Sequence, residues 1–369
     1  MESLEGGITT DELKHLPRVL ALASGKDDDV RASAFALIGA YAMSAEARQK
    51  YGPTMLDEIA AGLDSENDYV RKMSVITARA KLIDETERGV GVLIAALRNE
   101  DEQVRWMAAT TLGEIRTSQT QVVAALRTAL DDQDWLVRSP RPAQLAGHAP
   151  ASEVAVDRLL ELLGDGHGEV SAAAIHTLTK LGEPAAAEML ALDNQKRPHV
   201  REFIAHGLGT MRAIAGLNEA TNGKIEARML SWLDDVDRKV RCEAAIRLSI
   251  FGDLEARIAA LPILVDNAQD KDDGGTLVGW NAYLGIQRCV VTFAAALKDE
   301  NTVDAGMRGF AKLEKPFLRD YLRATHKRFA GSEGGDVRPI FRQAAEKSPR
   351  AAAREFAAEV VSWLPRDES

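Results

Sequence analysis

Apolar residues recur along this chain four, five and eight positions after a valine. Each such valine follows a polar, often acidic turn and, in six of seven copies, precedes an arginine. The element reads Asp27-Asp28-Asp29-Val30-Arg31, Asn67-Asp68-Tyr69-Val70-Arg71, Asp101-Glu102-Gln103-Val104-Arg105 and Asp134-Trp135-Leu136-Val137-Arg138. Gly168-Glu169-Val170-Ser171 keeps the valine and loses the arginine, and Arg197-Pro198-His199-Val200-Arg201 and Asp237-Arg238-Lys239-Val240-Arg241 restore it. The valines are 40, 34, 33, 33, 30 and 40 residues apart, the period of a two-helix repeat. After Val104, the residues Ala108, Ala109, Leu112 and Gly113 form one face of a 3.6-residue helix, so each valine opens a second helix of its repeat. The apolar stretches before each turn, such as Val92 to Leu97 and Val156 to Leu163, predict a first helix.

The turn residues have a mechanical reading. An aspartate ahead of the valine can accept a hydrogen bond from the free amides of the second helix and sits well against its positive end. The arginine after the valine can reach an acid in the adjoining turn. Alanines at the fourth and fifth places let helices approach closely, and the glycine that follows suits a left-handed cap or a close backbone contact. Their recurrence at equivalent places assigns these residues to the fold.

Composition agrees with helices: 58 of the 369 residues are alanine, and only 5% are aromatic. Two cysteines, Cys242 and Cys289, lack zinc or redox spacing and supply no disulfide framework, which fits a reducing cytoplasm. The first residues lack the basic and apolar regions of a secretory signal, and no run is apolar enough to span a bilayer; the expectation is a cytoplasmic protein that does not enter membranes. A net charge of -10 argues against coating the nucleic-acid backbone with the whole surface.

The pattern resembles the HEAT-repeat proteins, specifically the short-repeat phycobilin-lyase-type subclass, in which D-x-x-V-R precedes x-x-A-A-x-A-L-G. The best local match is Asp101 to Gly113, and the resemblance covers about residues 12 to 252. It implies an all-α, right-handed α-solenoid of about seven two-helix repeats over 12–252, with a divergent helical C-terminal region over 253–369 that continues or caps it. Helices are expected there at Ile258 to Ala268, Tyr283 to Leu297, Val303 to Leu313, Phe317 to Phe329, Val337 to Ala345 and Ala351 to Leu364, with loops at 270–275 and 331–335. In proteins of this kind the second helices line the concave side. Members resembling the pattern include adaptors, bilin lyases, a hydroxylase and DNA-repair glycosylases, so the resemblance does not fix a function. The hydroxylase binds two irons through repeated His-Glu pairs, which this chain lacks.

Candidate contact residues are those that the packing pattern leaves over. Trp106, two places after Val104, is expected to face the concavity. His176 and His206 stand six places after their valines, beside Ala36, Ile76, Thr110, Ala143 and Ile246 in the other copies, and are read as half-buried neighbours roughly 10 Å apart. Copy four departs from the pattern at Ser139-Pro140-Arg141-Pro142, where a late or irregular helix start would expose backbone near Trp135, Arg141 and His148. His167 and His199 fall in turns and are expected to be solvated. Between Lys312 and Arg350 ten basic and five acidic residues give +5, and Arg319, Arg323, Lys327 and Arg328 form a basic amphipathic helix suited to an acidic partner or nucleic acid.

No nucleophile elbow, phosphate-binding loop, dinucleotide fingerprint or HExxH zinc motif occurs. The favoured reading is a non-catalytic scaffold that binds a protein partner through Trp106, Arg141, His176 and His206 on the concave face, without catalytic residues, metal or cofactor. Two alternatives stand beside it: a bilin-lyase-like enzyme, and a nucleic-acid-binding protein using the basic C-terminal segment.

Overall fold

A computed structural model describes residues 12–78, 87–115, 120–139, 156–192, 196–214, 216–269, 277–329 and 337–364. Among them are twenty α-helices and no β-strand, so the fold is all-α. Two compact units divide the chain, Met1–Ala185 and Ala186–Ser369. The first unit holds α1 (Leu16–Ala23), α2 (Asp28–Tyr41), α3 (Ala45–Leu63), α4 (Asp68–Ala78), α5 (Glu87–Ala96), α6 (Glu102–Glu114), α7 (Thr120–Ala129), α8 (Trp135–Arg138), α9 (Val156–Leu162) and α10 (Gly168–Leu181). Then come α11 (Glu183–Ala191), α12 (Pro198–Ile214), α13 (Glu219–Ser231), α14 (Arg238–Phe251), α15 (Leu254–Gln269) and α16 (Leu277–Ala296). The chain closes with α17 (Val303–Ala311), α18 (Lys315–Phe329), α19 (Arg338–Lys347) and α20 (Ala351–Trp363).

These helices follow the repeat. All seven valines lie in the even-numbered helices α2 to α14, and the apolar stretches before the turns form the odd-numbered ones. In the first unit the even helices α2, α4, α6 and α8 pack in sequence, as do α1, α3, α5 and α7, giving two layers. The same arrangement recurs in the second unit for α12, α14 and α16 against α13, α15 and α17. Each unit is a solenoid-type stack. The valine face supplies the core between layers: Val104, Ala108, Ala109 and Leu112 are buried, as are Val240, Ala244, Ala245 and Leu248. Val30 departs from this, at 39% exposed, although Ala34, Phe35 and Ile38 of its helix are buried as the pattern requires.

The turns cap as expected. Oδ1 of Asp27, Asn67, Asp101, Asp134 and Asp237 each accepts a hydrogen bond from one or two amides in the first turn of the following helix. His167 holds the capping place of α10 with no side-chain bond to it. Gly209, nine places after its valine, and Gly182, outside that register, are each constrained by their surroundings. Gly182 ends α10 at φ +69°, a conformation that β-carbons resist. Gly209 lies inside α12 where any β-carbon would strike the Arg247 side chain of α14.

Three of the arginines after the valines reach an acid in the next turn, and there the acid is not the capping one. Arg105 binds Asp132, Arg138 binds Asp165 and Arg201 binds Asp235, each acid lying five places before the next valine. Each contact has two points, for example Arg201 Nε to Asp235 Oδ2 and Nη2 to Oδ1, both at 2.8 Å. Arg105 Nη1 also donates to the carbonyls of Asn99 and Glu100 in its own turn, at 2.9 Å each. Arg138 repeats this with Asp132 and Gln133. Burial pulls the three carboxyls upward, but the guanidinium bond, an amide two residues on and the nearby arginine charges prevail, so all three sit below the usual carboxylate range. The two earlier links are different: Arg31 Nη1 donates at 3.0 Å to Ser65 Oγ, a serine in the register of the acid, and Arg71 pairs at 3.6 Å with the capping Asp101. Asn99 stands where the acid should face Arg71; its Nδ2 donates to the Leu63 carbonyl, and Arg71 Nε is buried without a partner.

Candidate functional site

Positions one before, two after and six after the repeat valine fall within about 60° on a helical wheel at 100° per residue. They face away from the buried valine side. In the first unit this arc holds Tyr69 and Ile76 on α4, Trp106 on α6 and Leu136 on α8, all exposed, on three even helices that pack in sequence. Among the described residues of that unit, eight large apolar side chains are exposed, and six belong to even helices: these four with Val30 and Leu37 of α2. Of the other two, Leu22 is on α1 and Met43 lies between α2 and α3. Trp106, 41% exposed, stands in the middle of the row.

The remaining candidates fare differently. His176 is exposed on α10, not half-buried; six places after its valine, it shares the register of Ile76 on the face opposite the core. Partial desolvation and then the charge of Lys180 on the next turn hold its imidazole below the usual histidine range. His206 is also exposed, on α12 in the second unit, and belongs to a polar network. Its Nδ1 lies 3.0 Å from Glu243 Oε1 and 2.6 Å from Arg247 Nη2, and Arg247 Nε donates to the same Glu243 oxygen at 2.7 Å. These bonds outweigh burial and hold Glu243 below the usual range, whereas Glu202, one turn before His206, is raised by burial despite Lys239. Ile246, aligned with the two histidines, is buried, so the position is not exposed in every copy. Arg141 and His148, with the two prolines of copy four, lie outside the described residues.

Sequence reasoning missed two local contacts. His167 is exposed as expected, yet its ring stacks on Trp135, with centroids 5.4 Å apart and planes 12° from parallel. The signal was there: an aromatic and a histidine occupy neighbouring turns at nearly equivalent places. The His206, Glu243 and Arg247 network was also not foreseen, because its members are about 40 residues apart and meet only through packing of α12 on α14.

On the basic helix α18, Leu318, Tyr321, Leu322 and Thr325 are buried and define its inner face. Arg319 is exposed and pairs with Asp320 at 3.3 Å, and Arg323 Nε donates to the Trp363 carbonyl at 3.0 Å. Lys327 and Arg328 belong to the helix, but their side chains lie outside the described residues. No helix among the described residues is long and apolar enough to cross a membrane. No group of three or more His, Cys, Asp or Glu that could hold a metal occurs among them.

The family model for HEAT repeats matches residues 56–141. No curated protein matches the chain. Among solved structures, one is described by the finding that Kap95p binding induces the switch loops of RanGDP to adopt the GTP-bound conformation. It matches with a TM-score of 0.64 at 16% identity, over 98% of this chain and 48% of that one. Two structures of importin beta, in ammonium sulfate and polyethylene glycol conditions, match with TM-scores of 0.54 and 0.58 at 12% and 11% identity. They cover 95% and 94% of this chain and 58% and 53% of theirs. The chain therefore spans about half the length of the solved structures it matches, and has the fold of HEAT solenoids.

Proposed function

We propose that this protein is a non-catalytic adaptor that binds a protein partner on the outward faces of its even helices, the concave side of the solenoid in this reading. The observation that carries the proposal is the placement of exposed apolar side chains in the first unit, concentrated on the even helices with Trp106 at the centre. Exposed tryptophan and tyrosine beside aliphatic side chains provide large apolar area with few rotatable bonds, the composition of interface hot spots. His176 and His206 hold the place six after their valines with polar groups, and Arg141, part of the same reading, lies outside the described residues. Repeats 12–252 form the binding array in this reading and 253–369 its cap. The short-repeat subclass remains the nearest pattern on the strength of Asp101 to Gly113, and a reducing cytoplasm suits buried Cys242 and Cys289.

Photocrosslinking tests the face. A photoreactive phenylalanine analogue replaces Tyr69, Trp106 or, on the first-helix layer, exposed Thr128, and the full chain is irradiated in its native cell. A shared crosslinked protein from Tyr69 and Trp106, absent from Thr128, is expected. Equal products from both layers, or none from either, would refute the assignment.

A further inference from the structure

The register of the even helices continues past the last Val-Arg copy. Asn281 falls 41 residues after Val240, and four, five and eight places after it stand Gly285, Ile286 and Cys289, all buried. Arg288 thus occupies on α16 the place that Arg247 occupies on α14, and these helices pack together. Their surroundings differ in one consistent way. Arg247 bonds Glu243 on its own helix, and His206 and Thr210 on α12, with Thr210 Oγ1 at 3.4 Å. Advancing each partner by one repeat gives Leu284, Ile246 and Ile250. All three polar partners have become apolar. The exposed Arg288 side chain accordingly has no hydrogen bond or ion pair among the described residues, and all five of its donors are open.

A second guanidinium adds to the local charge. Arg257 of α15 directs Nε to the Gly252 carbonyl at 2.8 Å, Nη2 to Ile250 at 3.0 Å and Nη1 to Ser249, so carbonyls and no carboxylate satisfy it. Partial burial, then the charges of Arg257 and Arg247, push Arg288 below the usual arginine range. The charge of Arg247 is matched by Glu243; among the described residues no carboxylate pairs with Arg257 or Arg288. An arginine whose register neighbours are apolar, with open donors and a like charge nearby, favours an incoming oxyanion more than a fully hydrated surface arginine does.

We propose that Arg288, with Arg257 near it, forms a binding site for a phosphate monoester. Two unmatched positive charges balance a dianion, and the open guanidinium fork fits two oxygens of a phosphate at once. A carboxylate would leave one charge over. The chemistry is shared by free phosphate, a phosphorylated side chain and a nucleoside monophosphate. This site lies in the second unit and does not depend on what binds the Trp106 face.

The test titrates the full-length protein with inorganic phosphate, O-phosphoserine, a nucleoside 5′-monophosphate and acetate, read by calorimetry and by the Nε–H resonance of Arg288. Saturable binding of at least one phosphate compound, with a shift of that resonance and none from acetate, is expected. The tightest of the three identifies the source of the phosphate. Arg288→Gln should weaken binding about tenfold or more, Arg288→Lys less, and Arg319→Gln not at all. Circular dichroism of Arg288→Gln should match the parent, since the side chain holds no bond. Absence of saturable phosphate binding, equal binding by Arg288→Gln, or acetate binding as tight as phosphate would overturn the proposal.

Discussion

Arg105 and Asp132 meet at two points, Nε to Oδ2 at 2.7 Å and Nη2 to Oδ1 at 3.0 Å, while Arg105 Nη1 holds two carbonyls of its own turn. With side chains only 8% and 12% exposed, the pair lies largely out of water. Removing one member leaves the other charge desolvated, which costs more than the pair contributes. Asp132→Asn should therefore destabilise the protein by about 3 to 5 kcal/mol, measured by urea unfolding; a loss below about 1 kcal/mol would place the pair with exposed surface bridges.

The same pair predicts a pH dependence. Asp132, Asp165 and Asp235 titrate below the ordinary carboxylate range when folded, so the unfolded chain binds their protons first as pH falls. The stability they contribute is complete above the unfolded carboxyl pKa of about 4 and is lost as pH falls through the folded values. The difference in urea midpoint between the parent and Asp132→Asn should hold steady from neutrality to about pH 5 and shrink in stronger acid. A gap that widens on acidification would reverse the assigned sign.

Asn99→Asp tests one of the altered links. A carboxylate there would give Arg71 Nε the partner that Arg105, Arg138 and Arg201 have, in exchange for the Asn99 bond to the Leu63 carbonyl. Stabilisation on the order of 1 kcal/mol is expected by thermal melting. A lower melting temperature would mean that the Leu63 bond matters more.

Core and surface should separate cleanly. Leu112 is fully buried in the valine face, and Leu112→Ala should cost about 2 to 5 kcal/mol through the cavity it leaves. Lys72 pairs with Asp68 at 3.2 Å and Asp101 at 3.8 Å near the surface, and Lys72→Ala should cost less than about 1 kcal/mol. Similar unfolding midpoints for the two variants would contradict the repeat register.

Trp106→Ala should weaken partner binding by about 1 to 4 kcal/mol with helical content and melting nearly unchanged, since its helix is already anchored by Val104, Ala108, Ala109 and Leu112. Loss of folding in step with loss of binding would return Trp106 to the core.

What the sequence discloses and what it withholds divide along physical lines. The valine, alanine and leucine positions were legible because helical periodicity ties burial to spacing within one helix. The capping aspartates were legible because their bond spans two or three residues. The true partner of each arginine was not, because it depends on how one turn stacks on the next. Acids at 132, 165 and 235 nonetheless share one register, so aligning the turns from five places before the valine would have found them. Trp106 could be placed by exclusion from the packing face. The exposure of His176 and His206 could not, since the same place in copy seven holds buried Ile246. Arg288 escaped because its valine is an asparagine, and the repeat shows there only through Gly285, Ile286 and Cys289.

The two-sided grip of Arg105, Arg138 and Arg201 also bears on how such a chain changes length. Copy four issues one cation to its successor and offers one anion to its predecessor, so a repeat of that kind spliced in whole arrives with both ends of the handshake. A copy deleted whole leaves a donor and an acceptor facing each other again. Cuts that fall between the acid and the arginine of one turn lack this property and strand a charge on either side, so viable duplications should begin and end within the helices and leave each turn intact.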